Sequence, residues 1–184
     1  MKELIALARA KPDALTMGQT NGSPNHLAAA YFTSAAGVRI RVIPYKAFNQ
    51  VLVDAMAGEI QMLFGSVINT LPHVKSGRLR ALAMSGAQRS AVLPQLPTVA
   101  ESGVPGYDVT GWYGWVAPAG TPPAIVSLLS QELARAVKLP EVSKTLAEDG
   151  AEPVGSTPAQ FQQLIADEVP RWRRIVKAAG MRME

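Results

Sequence analysis

The sequence predicts an α/β fold built around a parallel sheet. Three observations support this class. Strand-like apolar or alternating segments are separated by segments whose apolar residues recur at helical spacing. Hydroxyl–proline pairs mark helix starts, and glycines such as Gly58 and Gly77 mark helix ends. Strands that alternate with single helices usually pair in parallel, because each helix carries the chain back to the same end of the sheet.

The first half of the chain contains four predicted strands and three predicted helices. In chain order they are a strand at 14–17, a helix from Ser23, a strand at 38–45, a helix at 49–57, a strand at 59–64, a helix at 69–76 and a strand at 78–85. Alternation is clearest in the second strand, where Val38, Ile40 and Val42 share one face and Arg39 and Arg41 the other. We therefore expect one face of that strand to be covered.

The second half changes character. Residues 86–110 carry three prolines and little periodicity, which predicts a long ordered loop or a domain crossing. A strand is then expected at 112–118, followed by helices at 122–138 and 140–149, a short strand at 152–154 and a last helix at 158–179. Ser23, Thr121 and Thr157 each precede a proline and are predicted N-caps, and Thr157 with Gln160 fits a capping box.

Composition excludes several functional classes. The chain has 184 residues, a net charge of +4, no cysteine and two histidines. A net charge this small, from scattered residues, does not form the basic patch of a nucleic-acid-binding protein. Two histidines without any cysteine are too few ligands to favour a zinc site. We expect no metal, no cofactor and no nucleic-acid partner.

The N-terminal segment bears on localisation. No apolar run approaches the roughly 18 residues of a membrane helix. Charged residues interrupt the first 15 residues, so the segment is predicted to be an amphipathic helix and not a signal peptide. The chain is then cytoplasmic, or its export signal has been removed or was never included.

Ser23 and His26 raise the possibility of catalysis. They lie three residues apart and could approach each other, but the sequence nearby supplies neither a group to orient the base nor an oxyanion hole. The common hydrolase, P-loop, dinucleotide-binding and zinc-protease motifs are absent from the sequence. A small α/β hydrolase using Ser23 and His26 is kept as the alternative function, and we predict that the protein is not an enzyme.

Three loops offer anion-binding groups at the carboxyl ends of predicted strands. In an open parallel sheet these ends lie at one edge, where ligands bind. Helix starts favour anions because their first amides lack intrahelical acceptors. The loops contribute Thr20, Asn21, Gly22 and Asn25 in the first, Tyr45, Lys46 and Asn49 in the second, and Gly65 and Ser66 in the third. The sequence thus predicts a site for a small anion such as a carboxylate.

The order of motifs resembles a known family. The segments NGSPNHLAAAYF, VIPYKAFNQVLVDAMAGEIQMLFGSVINTLPHVKSGRLRALAMSGAQRS, LPQLPTVAESGVPGYDVTGWYGWVAPAGTP and GAEPVGSTPAQFQQLIADEVPRWRRIVKAAGM occur in this order. They resemble the Bug-type solute receptors of tripartite tricarboxylate transporters from about Leu4 to Gly180. The resemblance implies a type II periplasmic-binding-protein-like α/β fold with two lobes and a cleft between them.

The resemblance also implies a function. It implies a periplasmic receptor that captures a small organic acid and delivers it to the membrane permease subunits of the transporter. The acid would be a di- or tricarboxylate, an acidic amino acid or an aromatic carboxylate. It would be held mostly by backbone amides, hydroxyls and water, and ligand contact is carried over to Thr20, Asn21, Gly22, Ser23, His26, Tyr45, Gly65 and Ser66.

The chain departs from the family pattern in extent and in detail. It starts partway through the pattern, which leads us to expect a truncated receptor: a helix remnant at 1–12, one nearly complete ligand-binding lobe at 13–109, and the C-terminal helical part of the other lobe at 110–184. The GQTNGS loop is one residue shorter than the pattern, and Ala47 replaces its glycine. Uncovered helices at 122–179 favour self-association, so a fragment that acts only as an interaction module remains an alternative.

Overall fold

Three parallel strands form the sheet in the computed structural model, which describes residues 1–178. β1 is Thr16–Thr20, β2 is Arg41–Tyr45 and β3 is Met62–Leu63. The strand order is β2-β1-β3, so β1 is central and its first four residues are buried. The parallel sheet and its helices confirm the predicted α/β class.

The register of the sheet fixes which residues share its carboxyl edge. Thr16 pairs with Arg41 and Thr20 pairs with Tyr45. On the other side Gly18 pairs with Leu63, the last residue of β3. The loops that follow all three strands therefore leave the sheet at the same edge.

The described residues contain seven helices. They are α1 (Lys2–Ala10), α2 (Pro24–Ala36), α3 (Phe48–Ala57), α4 (Val67–Lys75), α5 (Pro123–Ala136), α6 (Pro140–Glu148) and α7 (Pro158–Ala178). Gly37 and Gly58 adopt left-handed φ angles of 61° and 84° at the C-caps of α2 and α3. The glycine signal for the end of α3 is thereby confirmed.

The N-terminal helix is part of the packed structure. Ile5 and Ala8 of α1 are buried. The guanidinium of Arg9 donates a 2.7 Å hydrogen bond to the carbonyl oxygen of Ala36, at the last turn of α2. The positive charge of Arg9 also interacts favourably with the negative end of the α2 dipole. Arg9 therefore stabilises the end of α2 through a hydrogen bond and through its charge.

The described chain divides into two units. One comprises Met1–Gly111 together with residues from Ile175 onward, and the other comprises Trp112–Arg174. The lobe boundaries expected from the sequence concern the complete two-lobed fold and stay predictions. None of the described helices has both the length and the apolarity needed to cross a bilayer.

Residues 78–85 do not form the predicted strand. Met84 instead makes an isolated bridge with Thr98, and Ser85 accepts a 2.7 Å hydrogen bond from the amide of Val109. The backbone of Met84 also bonds to Pro97 and Val99, so the end of this segment pairs with the loop that follows it and not with the sheet. The expectation of a strand was therefore wrong, whereas that of a long ordered loop was right.

β2 is shorter than its alternating pattern suggested. Val38 and Ile40 are buried but precede the strand, and Val42 within it is 39% exposed. Pro44 lies in β2, which is an edge strand and can lack one ladder donor without cost to the sheet.

The second unit contains α5, α6 and most of α7 but no strand among its described residues. The two strands expected at 112–118 and 152–154 are absent there, and Tyr113, Trp115 and Val116 are 93%, 78% and 84% exposed. A strand requires a neighbour for its backbone groups, and this segment has none within the unit. The apolar sequence of these segments was therefore not enough to predict strands.

The hydroxyl–proline signal worked at two of its three sites. Ser23 caps α2, and Thr157 and Gln160 form the predicted capping box with backbone-to-side-chain distances of 2.9 and 3.2 Å. Thr121 does not cap α5, whose N-cap is Pro122. Two consecutive prolines shift the helix start by one residue, because Pro123 takes the first helical position.

Candidate functional site

The first loop of the candidate site is organised by Ser23. Its hydroxyl donates a 2.7 Å hydrogen bond to the carbonyl oxygen of Thr20 and accepts a 3.2 Å hydrogen bond from the amide of His26. Ser23 thus joins the end of β1 to the first turn of α2. The predicted capping role is confirmed, and both of these bonds fix the loop that carries the helix amides.

Gly22 and His26 close the same loop from its outer side. Gly22 has a φ of +73°, and its amide donates a 3.2 Å hydrogen bond to Nδ1 of His26. Because Nδ1 accepts this bond, the network assigns the imidazole proton to Nε2. Burial lowers the pKa of His26 below its ordinary value, which favours the same neutral form. Asn21, the remaining residue of the loop, is exposed.

The hydroxyl of Thr20 has an unusual environment. Its oxygen is buried but has no hydrogen-bond partner among the described residues. A buried hydroxyl without a partner costs free energy, so native structures seldom keep one without a reason. Thr20 lies at the carboxyl edge of the central strand, where an approaching ligand could supply the partner.

The second loop brings Tyr45 to the same edge. Tyr45 ends β2 and is paired with Thr20. Its hydroxyl donates a 2.6 Å hydrogen bond to Oδ2 of Asp54 on α3. This bond, together with burial and the negative charges of Asp54 and Glu59, raises the pKa of Tyr45 to about 12. The hydroxyl therefore stays protonated at neutral pH.

The third loop follows β3 and is tightly packed around Gly65. A Cβ atom on Gly65 would lie 2.6 Å from Cγ2 of Thr70 and 2.8 Å from Cζ of Phe48. Ser66 is the N-cap of α4, yet its side chain makes no capping hydrogen bond. Its hydroxyl is therefore not used by the helix, and the first amides of α4 lie beside it.

The structure therefore collects the predicted site residues at one sheet edge in three groups. Thr20, Gly22, Ser23 and His26 are linked by hydrogen bonds, Tyr45 is level with Thr20, and Gly65 and Ser66 follow the neighbouring strand. Sequence reasoning missed Asp54 as the partner of Tyr45. Asp54 is the one acid in the apolar helix FNQVLVDAMA, and this contrast was the available signal.

The chemistry of this edge suits the binding of an anion. It offers the N-termini of three helices, four side-chain hydroxyl groups and a neutral imidazole. Within the described residues no group of three or more acidic or histidine side chains is arranged to hold a metal ion. Two surface depressions, on α6 and between the end of α4 and residues 93–96, include none of the three loops. The candidate site is the carboxyl edge of the sheet.

Comparison with known proteins identifies the family. A model described as "Tripartite tricarboxylate transporter family receptor" matches residues 1–181. The chain belongs to this receptor family. The resemblance drawn from the sequence motifs is confirmed. BugT of Bordetella pertussis is a relative, 35% identical over 182 residues, which are 98% of this chain and 56% of BugT.

Other relatives of the receptor family differ in length. A Pseudomonas knackmussii protein encoded between clcB and clcD is 35% identical over 156 residues, which are 84% of this chain and 92% of that protein. The chain nevertheless spans about half the length of most curated relatives that it matches.

Solved structures of the receptor family share the fold. An R. palustris protein solved with adipate has a TM-score of 0.88 and 36% identity, with 97% of this chain and 60% of that chain covered. The periplasmic binding protein BugD has a TM-score of 0.87 and 29% identity, with 100% of this chain and 62% of BugD covered. MatC from Rhodopseudomonas palustris, solved with bound malate, has a TM-score of 0.79 and 26% identity, with 96% and 61% covered.

Proposed function

We propose that this chain binds a small organic carboxylate at the carboxyl edge of its sheet, as a solute receptor for a tripartite tricarboxylate-type transporter. The observation that carries the proposal is the buried hydroxyl of Thr20, which has no partner among the described residues. It lies at the edge of the sheet at which α2 and α4 begin. A carboxylate oxygen would accept its hydrogen bond and also meet the positive ends of both helices.

The proposal assigns contacts to all of the predicted site residues. Hydroxyls and backbone amides of the first and third loops would hold the carboxylate, and His26 would offer the N–H of Nε2. The ligand-contact set is Thr20, Asn21, Gly22, Ser23, His26, Tyr45, Gly65 and Ser66. Residues 13–109 would form the binding lobe, and 110–184 would belong to the other lobe.

Partner and compartment follow from the family. The family description names a tripartite transporter, so the receptor would deliver its acid to the permease subunits of such a transporter. BugD is described as periplasmic, and we propose the same compartment for this protein. Relatives solved with adipate and with malate favour dicarboxylates within the predicted range of acids.

The proposal can be tested with a panel of small carboxylates and one substitution. Thermal unfolding of the 184-residue chain is measured with each acid, and calorimetry gives the dissociation constant of any acid that raises the midpoint. A ligand at about 100 times its Kd adds roughly 2.7 kcal/mol of stability. We expect one or two acids to raise the midpoint.

Thr20→Val provides the site-specific arm. Valine keeps the shape of threonine but removes the hydroxyl, so we expect at least tenfold weaker binding. The unliganded variant should be as stable as the wild type or more stable, since an unpaired buried hydroxyl costs about 1–3 kcal/mol. Thr145→Val, on the exposed surface of α6, is the matched control and should bind normally. Unchanged affinity in Thr20→Val would contradict the proposal.

The alternative hydrolase has less support. The hydroxyl of Ser23 is committed to Thr20, and Nδ1 of His26 accepts from Gly22 and does not bond to Ser23. A nucleophile needs its base within hydrogen-bond reach. Reaction of Ser23 with an acyl-transfer probe would favour the enzyme.

Self-association through the second unit stays a prediction. Its exposed apolar side chains include Leu128 and Leu129 on α5 and Val169 on α7. Sedimentation velocity over a range of protein concentrations would reveal it as a mass that rises with concentration.

A further inference from the structure

The second unit begins with an extended segment whose backbone is unpaired. Residues 112–118 contain no turn or bend, and none of them has a positive φ angle. Within the described part of the chain, the amides and carbonyls from Trp112 to Val116 make no hydrogen bond. These groups can therefore pair with another strand.

The side chains of this segment alternate between two faces, as in a β-strand. The ring of Trp112 meets the ring of Phe161 edge-on at a centroid distance of 5.3 Å. A Cβ atom on Gly114 would lie directly against the same Phe161 ring. Tyr113 and Trp115, by contrast, are 93% and 78% exposed. One face thus lies against α7, and the other presents two aromatic rings to solvent.

The segment lacks the features that normally prevent edge-to-edge pairing of strands. Exposed strand edges usually carry charged residues, prolines or bulges that block such pairing. Residues 109–131 contain no charged side chain, and the first proline after Trp112 is Pro118. Interface cores are likewise depleted in charge and enriched in tryptophan and tyrosine. A second copy of the segment would therefore meet neither a like charge nor a missing amide.

We propose that residues 112–116 pair with the same residues of a second copy of this chain, as two antiparallel strands centred on Gly114. In this register Tyr113 lies opposite Trp115 of the second copy, and the two-fold axis creates this aromatic pair twice. A pairing centred on Tyr113 or on Trp115 would leave the other ring without an aromatic neighbour. The inference names the surface through which the second unit self-associates, and it is independent of carboxylate binding.

The available area sets the strength of this dimer. A covered aromatic side chain buries about 150–250 Å², so the four rings of two copies bury at most about 1,000 Å². Stable specific interfaces bury roughly 1,200–2,000 Å². We therefore expect a weak and reversible dimer, which forms at micromolar or higher protein concentrations.

Sedimentation velocity of the full chain over a range of concentrations measures the dimer dissociation constant. The double variant Tyr113→Lys/Trp115→Lys places like charges opposite each other in the proposed register, so dimerisation should weaken at least tenfold. Leu128→Lys/Leu129→Lys is the matched control, because it adds the same charge at half-exposed apolar residues of α5. This control should keep the wild-type constant. Circular dichroism checks that both variants keep the wild-type helix content.

A cross-linking experiment tests the register without added charge. The chain has no cysteine, so introduced cysteines are the only thiols. Tyr113→Cys and Trp115→Cys proteins are mixed in equal amounts and oxidised, and mass spectrometry quantifies the disulfides. Opposite residues of paired strands are close enough for a disulfide, whereas diagonal ones are farther apart. We expect the mixed disulfide to exceed either single-variant disulfide roughly tenfold, and the mixed dimer keeps one aromatic pair intact.

Each other outcome overturns a stated part of the inference. A monomer at every concentration overturns the pairing of two copies, and the segment would then be left to a strand of a different protein. A dimer that weakens only in Leu128→Lys/Leu129→Lys, or in neither variant, overturns the role of residues 112–116. Disulfides in random proportions overturn the register centred on Gly114. Carboxylate affinity should be equal in the wild type and both lysine variants, so none of these outcomes affects the proposed function.

Discussion

The hydroxyl of Tyr107 donates a 2.9 Å hydrogen bond to the carbonyl oxygen of Ala28, 79 residues earlier in the chain. The ring of Tyr107 is fully buried, stacks on Tyr31 at a centroid distance of 4.9 Å, and meets Phe32 edge-on. These contacts fix the long loop after residue 86 on α2. α2, whose first turn forms part of the first loop of the candidate site, is thereby held from its side.

Tyr107→Phe should lower the free energy of unfolding by about 0.5–1.5 kcal/mol, the net value of a typical hydrogen bond. The phenylalanine ring keeps the stacking, so only the hydroxyl contribution is lost. Urea unfolding measures the change. Tyr113→Phe is the matched control at a position that is 93% exposed and should change stability by less than about 0.5 kcal/mol. Equal stabilities of the two variants would show that the Tyr107 hydroxyl is not needed.

His26 should make stability depend on pH. Burial lowers its pKa in the folded state below 6.5, the ordinary value. Near its pKa, His26 then binds more protons in the unfolded chain than in the folded one. The stability that neutral His26 contributes is therefore complete above pH 6.5 and is lost as the pH falls through the lowered pKa. Protonation at Nδ1 would also remove the acceptor for the Gly22 amide.

The measurement for His26 is urea unfolding between about pH 5 and pH 8. His26→Gln should lose less stability than the wild type as the pH falls, because carboxylates titrate in both proteins and only the histidine differs. His73→Gln is the control, since His73 lies in the last turn of α4, away from the first loop. Superimposable pH profiles of the wild type and His26→Gln would contradict the prediction.

Gly22→Ala tests the left-handed turn of the first loop. No atom lies within 4 Å of an added Cβ, so the φ of +73° is the source of any cost. We expect a loss of about 1–2 kcal/mol in stability and weaker binding of any acid that the wild type binds. Gly120→Ala has equal space but no positive φ, and it should not destabilise the protein. Equal effects at both glycines would show that backbone conformation is not decisive.

Gly65→Ala tests the packing of the third loop. The added methyl would meet Thr70 and Phe48 at 2.6 and 2.8 Å, so we expect a loss of about 1–3 kcal/mol from overpacking. Thr70→Ser removes the Cγ2 atom and should restore part of the stability when combined with Gly65→Ala. A double-mutant cycle of chemical unfolding measures this coupling. Purely additive losses would mean that the two residues do not compete for the same space.

Local signals predicted the local features of this fold. Ser23, Gly58 and the Thr157–Gln160 pair act within three or four residues of themselves, and the structure has each as expected. Parallel pairing predicted that the loops after β1, β2 and β3 would meet at one edge. Features that depend on distant partners were missed.

Residues 78–85 are one feature that depends on distant partners. Their sequence is strand-like, but the competing partners lie in the following loop, at Thr98 and Val109. The hydrogen bond from Tyr45 to Asp54 is another example, since nothing in the spacing of the two residues specifies it. Residues 112–118 have the composition of a strand, and their unit supplies no neighbour to pair with them.

The central position of β1 has a consequence for biosynthesis. Its partners lie later in the chain. Arg41 is synthesised 25 residues after Thr16 (41 − 16), and Met62 is synthesised 45 residues after Met17 (62 − 17). A ribosome therefore releases the most deeply buried strand before either neighbour exists. The sheet can close only after Leu63 has left the exit tunnel, so the segment TMGQT has two unpaired edges until Tyr45 emerges and one until Leu63 does, each open to another nascent chain.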